Sequence, residues 1–589
     1  MRRFNERSGR VLLACLLSSV MPLSAADNPV SGIAEPAPAK TVEPQSASEI
    51  EQLKQMLADQ QRQINDLRQA LVRQQSKETA ASVNAPASSS VIPQVDPTPV
   101  SSFRSLGQVA STAAILPHSA GPIARALPAI PLPQAAPNAS GSVTNPCEAD
   151  PGRTIPTFLR LGNVCIVPVG FMDLTPFWRD KNAASSMGSN FGSIPYNNVA
   201  NGNLSEFHFS EQNSRLGFRV DGDWKGAHFI GYNEFDFNGT SGSTNLAVSN
   251  GAIVPRLRLY WVNAHKGKVE FLAGQSWSML TPNRNGISAL PGDLFYTQVI
   301  DINYIAGLTW TRQPGLRVLV HPNKHVTFGF AAEQADQYIG GSAGGSSIVL
   351  PTNLATLIST QLDGGQNVTL AGYLGQPAYT PDFIAKLALD FSRVHFEVAG
   401  LESNFKTTSL GAPFTSHTKA GGGLEVGFNV ALTRNFRLIS TTFLSNGGGR
   451  YLFGQAPDVV VRADGSLSTV RADGTVDGFE ARIKNIMLYA YYGGIYIGRN
   501  VAIDTTGKPV GYGYTGSGSN QNRAINEFTF GFNQTIWASP RYGAINVMGQ
   551  YEYLMRSPWY VAAGSPKSAH DNTIYFNIRY TLPGSMPNF

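Results

Sequence analysis

Charge is scarce in this chain. Only 14% of its 589 residues are Asp, Glu, Lys or Arg, against roughly 25% in ordinary soluble domains. Long apolar runs are also missing. Beyond the N-terminus no stretch reaches the 18 or so residues that a spanning helix needs, and the mean hydropathy is slightly negative at -0.12. A bundle of membrane helices is therefore excluded. Cysteine is rare (3 residues), so neither a disulfide-dense scaffold nor a multi-cysteine metal site is available. Neither HExxH nor a Walker motif occurs, no GxSxG or GxGxxG string stands in a strand-to-helix context, and the nine histidines are scattered. His321 and His325 bracket the HPNKH turn and read as turn residues rather than ligands. No cofactor or metal is expected, and an enzyme is disfavoured, a barrel hydrolase being the form considered.

What remains is abundant glycine (59 residues), 10% aromatic residues and many short alternating segments. That mixture fits a transmembrane β-barrel, whose strands alternate apolar and polar side chains. Residues 1–26 read as an export signal. Arg2, Arg3, Arg7 and Arg10 precede the apolar run VLLACLLSSVMPL, with a small-residue cleavage site near Ala25 or Ala26. The LLAC stretch ending at Cys15 superficially matches a lipoprotein box, but cleavage there leaves a very short apolar region. Loss of residues 1–26 removes four Arg and one Glu, lowering the net charge from +5 to 5 − 3 = +2. The mature chain is no polycation and no nucleic-acid partner is expected. An exported chain meets an oxidising compartment, so Cys147 and Cys165 are expected to form a disulfide.

Residues 27–47 read as a flexible segment. Residues 48–78 carry the one strong helical pattern. Ser48 and Glu51 form a capping box. Ile50, Leu57, Ile64 and Leu71 recur at heptad spacing, with Leu53, Gln60, Leu67 and Gln74 between them. Such a stripe cannot bury itself alone, so a coiled-coil oligomerisation helix is expected, with dimer and trimer both open. Residues 79–146, rich in Ala, Pro and Ser, read as an extended linker.

Residues 147–589 read as the barrel. In SRLGFRVDGDWKGAHFIGYNEFDF (214–237), a two-residue Lys225-Gly226 turn sets a register in which Arg215 faces Asp236, Arg219 faces Tyr232 and Asp223 faces His228. The same register gathers Leu216, Phe235, Val220 and Phe229 on the other face, with only Asn233 out of place. In this reading Asp236 holds Arg215, leaving Arg219 the freer cation. Leu257, Leu259 and Trp261 read as one apolar face between Arg256, Arg258 and Tyr260. Val394, Phe396 and Val398 do the same between Arg393, His395 and Glu397, as do Ile574, Phe576, Ile578 and Tyr580 around Tyr575, Asn577 and Arg579.

Short connections near 225, 266, 322, 392, 433, 484 and 539 alternate with long ones at about 179–206, 239–253, 280–309, 336–380, 405–419, 447–474, 500–521 and 556–570. Together they predict about sixteen antiparallel strands, with the short turns, the disulfide and the coil in the periplasm. A barrel of that size leaves an aqueous lumen. Arg215, Arg219, Arg256, Arg258, Arg317 and Arg579, with Asp221, Asp223, Glu234 and Asp236, fall on the polar face of their strands. They are candidates for the pore wall, a basic wall facing an acidic patch. The segment 280–309 is apolar for a surface loop and could fold inward, bringing Arg284 to the wall.

Several stretches resemble the DcaP-type trimeric porins of Gram-negative outer membranes: GFMDLTPFWRD at 170–180, EFDFNG at 234–239, LAGQSWSML at 272–280, FYTQ at 295–298 and TWTRQPGLR at 309–317. Their order along the chain, behind a coil and a linker, carries the resemblance. It implies a homotrimer in outer-membrane lipid and passive uptake of small anionic solutes such as dicarboxylates. The chain departs from the pattern in its long linker and in PGSMPNF following the last strand. The competing reading is a structural anchor, with the barrel and coil tethering the outer membrane and transporting little.

Overall fold

The computed structural model describes residues 158–583, apart from 184, 241–252, 296–297, 358–360, 366–377 and 540–541. The expected signal, coil, linker and Cys147 lie outside the described residues.

The described chain forms a closed antiparallel β-barrel of sixteen strands. They are β1 (Val164–Arg179), β2 (Glu206–Ser210 and Arg215–Trp224, interrupted at 211–214), β3 (Ala227–Thr240), β4 (Ile253–Lys266), β5 (Val269–Trp277), β6 (Arg312–Asn323), β7 (Val326–Glu333) and β8 (Asp382–Asp390). There follow β9 (Val394–Thr408), β10 (Ser416–Ala431), β11 (Phe436–Asn446), β12 (Arg471–Ile483), β13 (Ile486–Ile497), β14 (Asn522–Ser539), β15 (Gly543–Pro558) and β16 (Ala569–Thr581). Each strand pairs with the next. Phe171–Arg179 of β1 closes the barrel against Thr573–Thr581 of β16. Closure satisfies every strand edge, which a sheet in hydrocarbon requires.

The first hairpin shows how sequence sets register. Lys225 and Gly226 take φ of 51° and 74°, the left-handed pair a two-residue turn demands. All ten pairs from Arg215↔Asp236 to Trp224↔Ala227 follow. Leu216, Phe218 and Trp224 are exposed outward (38%, 48% and 60%), whereas Arg215 and Asp221 are buried inside. The pattern runs round the barrel. Phe271, Leu316, Phe328, Phe330, Leu424, Phe428, Phe528, Ile574 and Ile578 are all exposed, and together they make the apolar belt of a membrane barrel.

Two expectations change. Leu259 and Trp261 do not share the outer face with Leu257. A β-bulge shifts the β3–β4 register between Glu234 and Phe235, so Leu257 stays outside (43% exposed) while Leu259 and Trp261 turn inward. The side-chain amide of Gln275 donates to the Arg258 carbonyl at this bulge (2.8 Å). The connection expected at 405–419 is also shorter, because β9 runs to Thr408 and β10 starts at Ser416.

Candidate functional site

The inner wall over β2 to β6 carries a compact charge cluster. Bidentate Arg256 donates to Asp236 from Nε (3.1 Å) and Nη2 (2.8 Å). Arg258 bridges both acids, from Nε to Glu234 (2.7 Å) and from Nη1 to Asp236 (2.8 Å). Arg215 faces Asp236 in register, but its guanidinium goes elsewhere: Nη1 is 3.9 Å from Glu234 and Nη2 donates to Asn213 Oδ1 (3.3 Å). The bulge that brings Arg256 and Arg258 onto Asp236 explains the exchange of partners. Arg219 is not the freer cation either. It donates to both oxygens of Asp221, at 2.7 Å each. Basic and acidic groups therefore interdigitate along β2 to β4 instead of facing each other across the pore.

One further cation joins this wall. Arg312, at the start of β6, lies over the Trp277 ring (5.6 Å) and interacts electrostatically with Arg256, Arg258 and Asp236. Strict alternation from Arg317 would put Arg312 on the lipid side with Leu316 and Val318. The geometry at Gly274 signals the departure. Its φ is 127°, and a Cβ there would sit 2.3 Å from the Tyr260 carbonyl oxygen; three residues on, Trp277 is fully buried. A glycine within an otherwise regular strand was the available sequence clue. Arg215, Arg256, Arg258 and Arg312 thus stand against two carboxylates, Glu234 and Asp236. The Nε and Nη1 atoms of both Arg215 and Arg312 are buried with no hydrogen-bond partner among the described residues.

The other expected residues are placed as follows. Arg317 is buried and donates to the Trp277 carbonyl (2.6 Å) and Ser276 Oγ (3.4 Å). Arg579 is paired with Asp173 (2.6 Å) on the neighbouring strand and shares the Phe171 ring with Arg215. Asp223 is exposed at the short-turn end and contacts His228 (2.9 Å). Cys165 is disulfide-bonded, and its partner lies outside the described residues.

The connection between β5 and β6, residues 278–311, folds against the inner wall. Its backbone amides donate to inward-facing side chains between β7 and β14: Met279 to Glu333 (2.7 Å), Asn283 to Glu397 (3.1 Å), Gly286 to Asp390 (3.1 Å), Gln298 to Tyr491 (3.1 Å) and Ala306 to Glu527 (2.8 Å). Arg284 reaches Glu480 on β12 through two donors (2.7 and 3.0 Å). Thr309 Oγ1 donates to Glu425 on β10. The carboxylates of the far wall are thus largely engaged in holding this loop. The loop closes on an aromatic cluster of Trp277, Tyr304, Trp310 and Phe453; the last two rings stack with centroids 4.8 Å apart.

This architecture, an apolar outer belt, polar inner wall and inward-folded loop, defines the class: a sixteen-stranded outer-membrane β-barrel of the porin fold. Among solved structures, the outer membrane channel DcaP of Acinetobacter baumannii matches 72% of this chain and 99% of its own length, with a TM-score of 0.51 and 16% identity. An anion-selective porin from Comamonas acidovorans (71% and 99% covered, TM-score 0.38, 12% identity) and Salmonella typhi OmpF (72% and 99%, TM-score 0.39, 8% identity) are more distant. No protein-family model and no curated protein matches the chain.

Proposed function

We propose that the chain is a passive outer-membrane channel for small anionic solutes of the dicarboxylate type, acting as a homotrimer with its coil in the periplasm. The observation that carries this reading is the excess of guanidinium over carboxylate at the β2–β6 wall. Four arginines stand against two acids, and Arg215 and Arg312 each hold two buried donors with no hydrogen-bond partner among the described residues. Those donors are shielded from the lumen, so they act on a passing carboxylate through uncompensated positive charge rather than by direct contact. Arg256 remains 24% exposed despite its pairing with Asp236, so it can exchange Asp236 for a passing anion. The inward fold of 278–311 supports a narrowed path, with Arg284 held on the far wall by Glu480. The fold shared with the A. baumannii outer membrane channel supports the channel part of the reading.

The test is uptake by proteoliposomes of the full chain. Succinate is expected to enter faster than a neutral sugar of similar size. A barrel that admits neither favours the tether reading, and one that prefers the sugar removes the anion role.

A further inference from the structure

At the long-loop end of β12 to β15, the outer face carries a chain of cations stacked on aromatic rings. Arg471 begins β12 and shares its outward parity with Phe479, which is 39% exposed. Its guanidinium lies 5.9 Å from the ring of Tyr496, itself 40% exposed on β13. Tyr496 meets Trp559 edge-on at 6.2 Å, and Arg499 lies over the Trp559 ring at 4.7 Å. The indole N–H of Trp559 donates to the Ile497 carbonyl (2.9 Å), which fixes the platform. Arg523, exposed, is the bulged residue beside Ala524, the register partner of Tyr496.

The charge balance is one-sided. Arg471 is paired with Asp473 (2.7 Å) and is still 65% exposed at its side chain. Neither Arg499 nor Arg523 makes an ion pair or hydrogen bond with any described residue; the stack on Trp559 is the contact Arg499 has. In outer-membrane barrels the long loops face the exterior and aromatic rings mark the lipid–water boundary. Three exposed guanidiniums at that boundary, outside the pore, cannot serve the solute path. Their geometry suits an acceptor that is anionic, outside the barrel and level with the headgroups. Guanidinium binds phosphate bidentately.

We propose that Arg471, Arg499 and Arg523, on the Tyr496–Trp559 platform, form a binding site for the phosphorylated headgroup of an outer-leaflet glycolipid. The phosphate monoester sits against Arg499 and Arg523, with Arg471 at the edge beside Asp473, and the sugar ring covers the exposed face of Tyr496. The site uses the barrel's orientation but not its transport, so it stands or falls separately from the channel reading.

The test is native mass spectrometry of the full chain, released from detergent after mixing with diphosphoryl lipid A or phosphatidylcholine. The wild-type protein is expected to retain lipid A in preference to phosphatidylcholine. Arg499→Gln with Arg523→Gln is expected to weaken lipid A binding about fivefold per arginine removed. Both positions are exposed, and a heat-shifted band on cold gel electrophoresis checks that the variant barrel is folded. Equal retention by the folded variant, or equal retention of phosphatidylcholine, overturns the proposal. Displacement of lipid A by inorganic phosphate also overturns it, assigning the arginines to a free anion.

Discussion

The cluster on β2 to β6 makes a quantitative statement about selectivity, tested best by removing cations whose loss strands no acid. Arg258 is the wrong choice, because Glu234 and Asp236 both depend on it. Arg256 is suitable: without it Asp236 still accepts from Arg258 Nη1 at 2.8 Å. Arg312 is suitable too, since no carboxylate among the described residues accepts a hydrogen bond from it and its neighbour is the Trp277 ring. Arg256→Gln with Arg312→Gln leaves two arginines against two acids. A unit charge about 4 Å from a solute contributes about 1 kcal/mol in water-like surroundings, or about fivefold in the solute's partitioning. Losing two such charges removes most of the preference for anions, and the loss grows at low salt, where screening is weaker. Bi-ionic potentials recorded from single channels in planar bilayers read the effect directly. A double variant that stays folded and keeps the wild-type anion-to-cation ratio refutes the assignment of selectivity to this wall.

Other perturbations separate support from permeation. Arg258→Leu takes the close cation from buried Glu234, leaving it Arg215 at 3.9 Å while Asp236 keeps Arg256, and is expected to cost about 3–5 kcal/mol, read as a lower temperature for the loss of the heat-resistant barrel band; an unchanged temperature contradicts the pairing. Deleting 283–297 removes the Arg284–Glu480 anchor and the amides held by Glu397 and Asp390, so single-channel conductance is expected to rise. Unchanged conductance places the constriction elsewhere. Phe218→Lys puts a charge on the lipid face and is expected to destabilise the barrel by about 2–4 kcal/mol near the bilayer midplane, measured by urea titration in lipid vesicles; a neutral result moves Phe218 out of the apolar belt.

The strand count, the seven short turns and the facing of the first hairpin were legible because a period of two allows one register to sort both faces at once. The 214–237 hairpin is the clearest case. A lipid-facing Leu216 and an inward Arg215 require each other, and the Lys225-Gly226 turn fixes which residues oppose. The bulge at β3–β4 was not legible. One extra residue turns Leu259 and Trp261 inward, and nothing in RLRLYWV marks where the parity changes. Partner choice within the cluster was lost for the same reason. Cross-strand register predicts which Cα atoms face each other, but Arg215 and Arg258 are long enough to choose among several acids. Arg312 escaped because its orientation depends on Gly274 and on a loop that returns from across the barrel. The inward fold of 278–311 could be anticipated from its composition. Its anchors could not, since Glu397, Glu480 and Glu527 lie 114 to 221 residues from their partners in sequence and are brought near the loop only by closure.

The central claim is that this wall favours anions, and its most direct measurement is the zero-current potential of the wild-type channel across a planar bilayer under a potassium chloride gradient. The account predicts a potential of the sign set by chloride moving down its gradient, shrinking as total salt rises. A potential of the opposite sign, or none at any salt concentration, contradicts it.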